Sequence, residues 1–185
     1  MVIASQKRKS NIAEYILYMW QVEDIIRAND LDMAKIKKNV IDRFDGLTPE
    51  QSRQMEEWYE SLIDMMRLEG VQKSGHLQIN RNILNQLVQL HQKLLADPSF
   101  PEYTAEFYRT LPYIVELRAK SGDTPLGEIE TCFTAQYGML MMRLQKKEMT
   151  PDTAAAIHQI SRFIAALSRD FLLDEEDRLF KKQEE

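Results

Sequence analysis

The sequence predicts an all-α protein, with about seven helices in a single-domain, mostly antiparallel bundle. Three observations predict this fold. Apolar residues recur at helical spacing, no run alternates with the two-residue period of a strand, and Thr-Pro pairs that typically open helices occur at Thr48, Thr124 and Thr150. The predicted helices cover residues 11–28, 31–44, 49–69, 78–96, 102–120, 125–147 and 151–172.

The first three predicted helices have recognisable ends. Asn11 and Glu14 have the spacing of a capping box, so the first helix begins there. The second helix carries its apolar residues on one side and closes at an Asp-Gly pair. Thr48 and Gln51 form another capping box at the start of the third helix, and Gly70 ends it.

The other four helices are also punctuated by proline and glycine. The fourth has an indistinct start and stops before Pro98. The fifth contains Pro112, which removes one backbone hydrogen bond, so we expect a kink near residues 107–111. Residues 121–123 then break the chain. The last two helices begin at the remaining Thr-Pro pairs and carry clear apolar stripes.

Length and composition indicate one folded domain. The chain has 185 residues, of which 44% are hydrophobic and 29% charged, as is ordinary for a globular protein. We expect residues 1–10, with the cluster Lys7-Arg8-Lys9, to be a flexible basic end, residues 11–173 to be the helical domain, and residues 174–185 to be a charged tail.

Charge and cysteine content limit the partners and the compartment. The net charge of −5 argues against a nucleic-acid partner, because binders of nucleic acid normally carry a basic stripe. Cys132 is the single cysteine, so an intrachain disulfide is excluded and a reducing compartment, the cytoplasm, is expected. The sequence predicts neither a signal peptide nor a membrane span.

Two charged residues lie within apolar stripes. Glu23 falls among the apolar positions of the first helix, and Arg118 falls among those of the fifth, each within roughly 40° of the centre of its stripe. The stripe around Arg118 consists of Phe107, Leu111, Ile114 and Val115. A lone ion buried there would cost several kcal/mol. We therefore expect Glu23 and Arg118 to point inward and to pair with each other.

Glu23 and Arg118 also have possible partners besides each other. Arg27 lies one turn after Glu23 and could pair with it locally. Trp20 and His91 border apolar stripes as well, so the candidate polar cluster comprises Trp20, Glu23, Arg27, His91 and Arg118. It could be a purely structural buried ion pair, or the polar part of a ligand pocket between the first and fifth helices.

No motif for catalysis is present. The Glu-x-x-His spacing of di-iron and di-manganese bundles is missing, as are the His-Cys clusters of zinc sites and the glycine-rich loops that bind phosphate. Cys132 has no histidine near it along its helix, which favours a structural, half-buried thiol. We therefore expect no cofactor, no metal and no catalytic residue.

These observations leave three hypotheses about function. The first is a non-catalytic helical protein that binds another protein through a groove or helix face. The second is a small-molecule binder or enzyme that uses the polar cluster, and the third is a homo-oligomeric structural protein. The sequence favours the first.

Four segments resemble an uncharacterised bacterial family of unknown function. They are residues 11–24 (NIAEYILYMWQVED), 57–67 (EWYESLIDMMR), 75–80 (GHLQIN) and 111–122 (LPYIVELRAKSG). The resemblance spans about residues 11–169. It implies a stand-alone helical domain in a bacterial cytoplasm, and it implies no activity, cofactor or catalytic residue.

Overall fold

The structure is a computed structural model that describes residues 2–120 and 126–180. The predicted all-α, single-domain fold is confirmed: in the described part of the chain there are eight α-helices and one 3-10 helix, and no strand. In chain order they are α1 (Val2–Ser10), α2 (Ile12–Ala28), α3 (Met33–Asn39), the 3-10 helix (Ile41–Arg43), α4 (Pro49–Leu68), α5 (Gln78–Ala96), α6 (Pro101–Lys120), α7 (Glu128–Leu144) and α8 (Pro151–Glu175).

The N-terminal residues, expected to be a flexible basic end, instead form helix α1. Ala4 is buried against the core, and Arg8 donates hydrogen bonds of 2.7 and 2.6 Å to the two carboxylate oxygens of Glu175, at the end of α8. The Arg8 guanidinium also lies 5.4 Å from the Phe171 ring. A local pattern cannot reveal this anchor, because its partner is 167 residues away in sequence.

Three of the seven predicted helix starts are confirmed by side-chain caps. Thr48 forms the full capping box with Gln51, and Thr150 accepts from the backbone NH of Thr153. Asn11 accepts from the backbone NH groups of residues 13 and 14. The predicted start at Thr124-Pro125 and the break at residues 121–123 lie outside the described residues, and α7 begins at Glu128.

The second predicted helix, over residues 31–44, is wrong in its extent. Asp30 and Leu31 have positive φ angles of 58° and 55°, which no helix accommodates. Asp32 then caps α3 by accepting from two backbone NH groups. At Val40 the backbone leaves the α region, with φ −124° and ψ −64°, and the chain continues as the 3-10 helix.

The two long C-terminal helices that pack along each other are α6 and α8. α6 continues without interruption through Pro112, and the kink expected there stays a prediction. α8 extends to Glu175, three residues beyond its predicted end. None of the helices in residues 2–120 and 126–180 combines the length and the hydropathy needed to cross a membrane.

Two apolar clusters form the core, and α2 contributes to both. One side of α2 supplies Ile16 and Trp20 to a cluster built with α5, α6, α7 and α8. Its other side supplies Met19 and Ile26 to a cluster built with α1, α3, the 3-10 helix, α4 and the α4–α5 connection. α2 is therefore the central helix, and Glu23 lies on it.

Candidate functional site

Glu23 points into the interior, as the sequence predicts, and is 0% exposed. Its carboxylate accepts three hydrogen bonds: from the backbone NH of Leu77 at 2.9 Å, from the Asn80 amide at 2.6 Å, and from Nδ1 of His76 at 2.6 Å. A carboxylate buried with three donors meets the hydrogen-bonding requirement that burial imposes. All three donors come from the connection between α4 and α5 and the start of α5.

The predicted pair between Glu23 and Arg118 is wrong. Among the described residues no ion pair joins them, and Arg118 is partly exposed on α6. The prediction placed Val115 on the buried side of α6, whereas Val115 is 57% exposed. The buried side is centred on Phe107 and Ile114, which leaves Arg118 on its flank.

Arg27 does not pair with Glu23 either. Its guanidinium bonds to Asp24 at 2.8 Å and donates to the backbone carbonyls of Val71 and Gly75 in the α4–α5 connection. Gly75 has a φ of +85°, a conformation that glycine adopts without strain. Arg27 therefore holds this connection against α2, and so positions the residues that bind Glu23.

His76 and Trp20 form the aromatic part of the site. Their rings stack with centroids 4.0 Å apart and an interplanar angle of 10°. Trp20 is buried, whereas the His76 side chain is 29% exposed. Nδ1 of His76 is bonded to buried Glu23 and one ring face covers Trp20, whereas Nε2 has no hydrogen-bond partner among the described residues.

Tyr137, on α7, contacts the same group of residues. Its hydroxyl donates to Asp24 at 2.6 Å, and its ring meets Trp20 edge-on at 5.6 Å. Partial burial, together with the hydrogen bond to Asp24, raises the pKa of Tyr137. We call this group the Glu23 cluster. It comprises Trp20, Glu23, Asp24, Arg27, His76, Asn80 and Tyr137.

The Glu23 cluster has the geometry of a binding or structural site. One ring nitrogen of His76, Nε2, has no hydroxyl, thiol or other hydrogen-bond partner among the described residues. Two buried atoms of the cluster, Arg27 Nε and Asn80 Oδ1, have no hydrogen-bond partner within the described structure. The sequence predicts Trp20, Glu23 and Arg27 as members, but it does not predict His76, Asn80 and Tyr137, because no periodicity connects them to the rest.

His91 does not belong to this cluster. It is buried among Phe107, Phe163 and Tyr103, with Nδ1 2.7 Å from the Tyr103 hydroxyl. Burial lowers the pKa of His91 to about 4, so the ring is neutral at neutral pH. The prediction that His91 joins Glu23 is therefore wrong, and its place is in the core.

Glu106 is a second buried carboxylate, and the sequence-based prediction did not include it. It is 7% exposed and accepts from Gln159, Arg109 and Arg162 at 2.8 to 3.2 Å. Its spacing from Thr110 is the one sequence signal that indicates it, since Glu106 lies one turn before Thr110 and both are on the buried side of α6.

Cys132 is fully buried rather than half-buried, and burial raises its pKa to about 12. Such a thiol is a structural, inert side chain. In residues 2–120 and 126–180 no three His, Cys, Asp or Glu side chains are placed to hold a metal ion.

A groove runs between α1 and α4, and we call it the α1–α4 groove. It has a volume of about 320 Å³ and is mostly apolar. Buried Met19 and Leu62 form its floor, and half-buried Trp58 and Met65 form a wall. Lys9 and Arg8 line its rim, and because Arg8 is paired with Glu175, the basic character of the rim comes from Lys9. The sequence could not reveal this groove, because α1 was not predicted.

Comparison with known proteins identifies the family. No curated protein matches the chain, and no solved structure matches it. The model of one family, described as a domain of unknown function (DUF4924), matches residues 1–178. Since this match covers nearly the whole chain, the protein belongs to that family.

Proposed function

We propose that this protein acts by binding another protein and has no chemistry of its own. The observation that carries the proposal is the α1–α4 groove, an apolar depression with a basic rim on an otherwise acidic molecule. A groove between two helices is the surface that receives an amphipathic helix in many complexes. The partner we infer is a helix with an apolar face and acidic flanks.

The side chains of the groove suit this occupant. Trp58 and Met65 are the kinds of residue that dominate binding energy or adapt to a ligand's shape. Lys9 is exposed at the rim and α1 carries no acidic residue, whereas Lys7 and Arg8 are already paired with Glu14 and Glu175. Acidic residues of the partner would therefore be attracted to this edge, which contributes specificity and association rate.

The experiment compares two helical peptides that share one apolar face and carry either glutamates or lysines on the other faces. Fluorescence anisotropy measures binding to the full chain. We expect the acidic peptide to bind about tenfold more tightly than the basic one. Met65→Asp should weaken both peptides, and Lys9→Glu should remove the preference for the acidic one.

The matched control is Leu144→Asp, which adds the same charge at an exposed apolar residue on α7, outside the groove. It should leave both affinities unchanged. The proposal fails if neither peptide binds, or if Met65→Asp and Leu144→Asp have the same effect.

A second candidate function is small-molecule binding at the Glu23 cluster. One observation favours it: His76 is partly exposed and its Nε2 has no hydrogen-bond partner among the described residues, while Glu23 holds the ring on one side and Trp20 on another. A side chain held by its neighbours in this way is preorganised for a ligand. The ligand would be a small polar molecule that bonds to this nitrogen.

Histidine resonances in an NMR titration test this candidate against panels of carboxylates, phosphates and amines. A ligand should shift the signals of His76 while those of His158, which is exposed on α8, stay in place. Equal shifts of both histidines, or no shift with any panel, would exclude it.

We also infer that the protein works in a bacterial cytoplasm. Its single thiol is buried and needs no oxidising environment, and the family resemblance in the sequence is to bacterial proteins. Fractionation of cells that express the tagged chain would test the compartment.

A further inference from the structure

The outer side of α6 carries an exposed row of apolar residues, which we call the α6 stripe. It consists of Tyr108, Pro112, Val115 and Ala119, and all four are exposed. Tyr108 is 62% and Val115 57% exposed, large fractions for side chains of this type. The opposite side of α6 is the one that packs on α5, α7 and α8.

The spacing of the α6 stripe is that of a helix-pairing seam. Successive members are separated by four, three and four residues, so they form one narrow line along the helix. The same spacing occurs at the contact positions of coiled coils. The line extends toward the start of the helix through half-buried Ala105. An outer helix face is ordinarily polar along this line.

The charges beside the stripe identify what covers it. One flank carries, in chain order, Glu102, Arg109, Glu116 and Lys120, with signs that alternate from negative to positive. From Lys120 back to Glu102, the same four charges run positive, negative, positive and negative. Each position in this reversed order therefore has the sign opposite to that in the forward order. Two antiparallel copies of this helix would therefore bring each charge opposite one of the other sign, because antiparallel pairing sets like flanks against each other.

We propose that α6 pairs antiparallel with α6 of a second copy of this chain, about a two-fold axis at Pro112. Tyr108 then lies opposite Val115 of the second copy, and Ala105 opposite its Ala119. Arg109 faces Glu116 of the second copy, and Glu102 faces its Lys120. Each contact occurs twice, as an isologous interface requires.

The ion pairs that these residues form within one chain can be replaced by the proposed pairs between two chains. Arg109 bonds to Glu106 within its own helix, and Lys120 bonds to Glu116, but Arg109, Glu116 and Lys120 are all more than half exposed. The Glu116–Lys120 pair is exposed at both ends, so it contributes little energy and rearranges readily. Glu106 is buried, but it keeps Gln159 and Arg162 as partners when Arg109 turns toward the second copy. The helix is roughly 30 Å long and 10 Å wide, so it offers an interface well below the standard size and forms a weak dimer.

Sedimentation equilibrium of the full chain over micromolar to millimolar concentrations tests the proposal. We expect a monomer–dimer equilibrium that Val115→Glu weakens by at least about tenfold. Leu68→Glu is the matched control, because Leu68 is 87% exposed on α4, outside the stripe, and should leave the equilibrium unchanged. Met65→Asp, in the α1–α4 groove, should also leave it unchanged.

A charge-reversal experiment tests the antiparallel register. Arg109→Glu and Glu116→Arg should each weaken self-association, because each places like charges opposite one another. An equimolar mixture of the two variants should associate at least as well as the wild type, since both opposite pairs are restored between unlike chains. Circular dichroism melting verifies that each variant folds.

A cross-linking experiment tests the position of the axis. Pro112→Cys should form a disulfide-linked dimer on mild oxidation, because residue 112 lies opposite itself, whereas Leu68→Cys should not. Native Cys132 is buried and does not compete. The proposal is overturned if the chain stays monomeric throughout, if Val115→Glu leaves a dimer intact, or if the mixed charge variants associate no better than either alone.

Discussion

At the scale of single residues, the most consequential side chain is Glu23. Three donors from the α4–α5 connection and the first turn of α5 converge on its carboxylate, so it ties α2 to the start of α5. A buried charge satisfied in this way adds little net energy, but removal of one partner leaves the others unpaired. The presence of Glu23 therefore stabilises the fold little in net terms, whereas its removal destabilises the fold strongly.

Glu23→Ala should lower the free energy of unfolding by about 3–5 kcal/mol, because it strands the donors of His76, Leu77 and Asn80 in the interior. Urea denaturation followed by circular dichroism measures the change. The control is Glu14→Ala on the same helix, where the carboxylate is exposed and has Lys7 and Asn11 as partners, and it should cost less than about 1 kcal/mol. Equal effects of the two variants would contradict this role of Glu23.

His91 should make the stability of the protein depend on pH. Its pKa is about 4 in the folded protein and about 6.5 in the unfolded chain, so between these values only the unfolded chain gains the proton. Stability from this residue is complete above pH 6.5 and falls as the pH drops to 4, by up to about 3 kcal/mol.

The measurement is the free energy of unfolding of the wild type and of His91→Gln at several pH values from 7 to 4. The variant should lose less stability over this window, since it has no imidazole to protonate, while the carboxylates titrate in both proteins. Parallel pH profiles would show that His91 is not protonated on unfolding.

At the scale of the helix, α6 carries apolar residues on two opposite sides, one buried and one exposed. Tyr103, Phe107 and Ile114 fix the helix to the core, while Pro112 lies on the exposed side. This position explains how a proline persists inside a regular helix, because its ring and the carbonyl that it leaves unpaired face solvent rather than the core.

Pro112→Ala should stabilise the monomer. Alanine is about 3 kcal/mol better than proline inside a helix, and the greater freedom of the unfolded chain offsets up to about 1 kcal/mol of this. We expect a net gain of about 2–3 kcal/mol. Thermal melting at low concentration, where the proposed dimer is dissociated, measures it. A lower melting temperature would mean that proline is required for the path of α6.

At the scale of the whole molecule, α2 joins the two apolar clusters into one folding unit. Trp20 lies in the cluster built with α5 to α8, and Trp58 packs against the other. The two indoles therefore report on the two halves of the core separately. Since α2 contributes to both, neither cluster can lose its packing without disturbing the other.

Two single-tryptophan proteins test this cooperativity. Trp58→Phe leaves Trp20 as the reporter, and Trp20→Phe leaves Trp58. In each protein, tryptophan fluorescence and circular dichroism should give the same midpoint in urea, because the core unfolds as a unit. A fluorescence midpoint for Trp58 well below the circular dichroism midpoint of the same protein would show that its cluster opens independently.

The sequence by itself determined the helical class, most helix boundaries and the inward direction of Glu23. These are local properties: periodicity sets which side of a helix is apolar, and a cap such as Thr48 involves residues three apart. Tertiary structure alone decided what Glu23 binds. His76 and Asn80 lie more than 50 residues away, in and beside a connecting segment without periodicity.

The same distinction between local pattern and tertiary packing explains why the sequence predicted neither helix α1 nor the position of Arg118. The anchor of α1 is at the far end of the chain, so no local pattern reveals it. Arg118 was misplaced because Val115, an apolar residue, was assigned to the buried side although it faces outward. Apolar residues do lie on protein surfaces, and only the packing of neighbouring helices decides which side of a helix is covered.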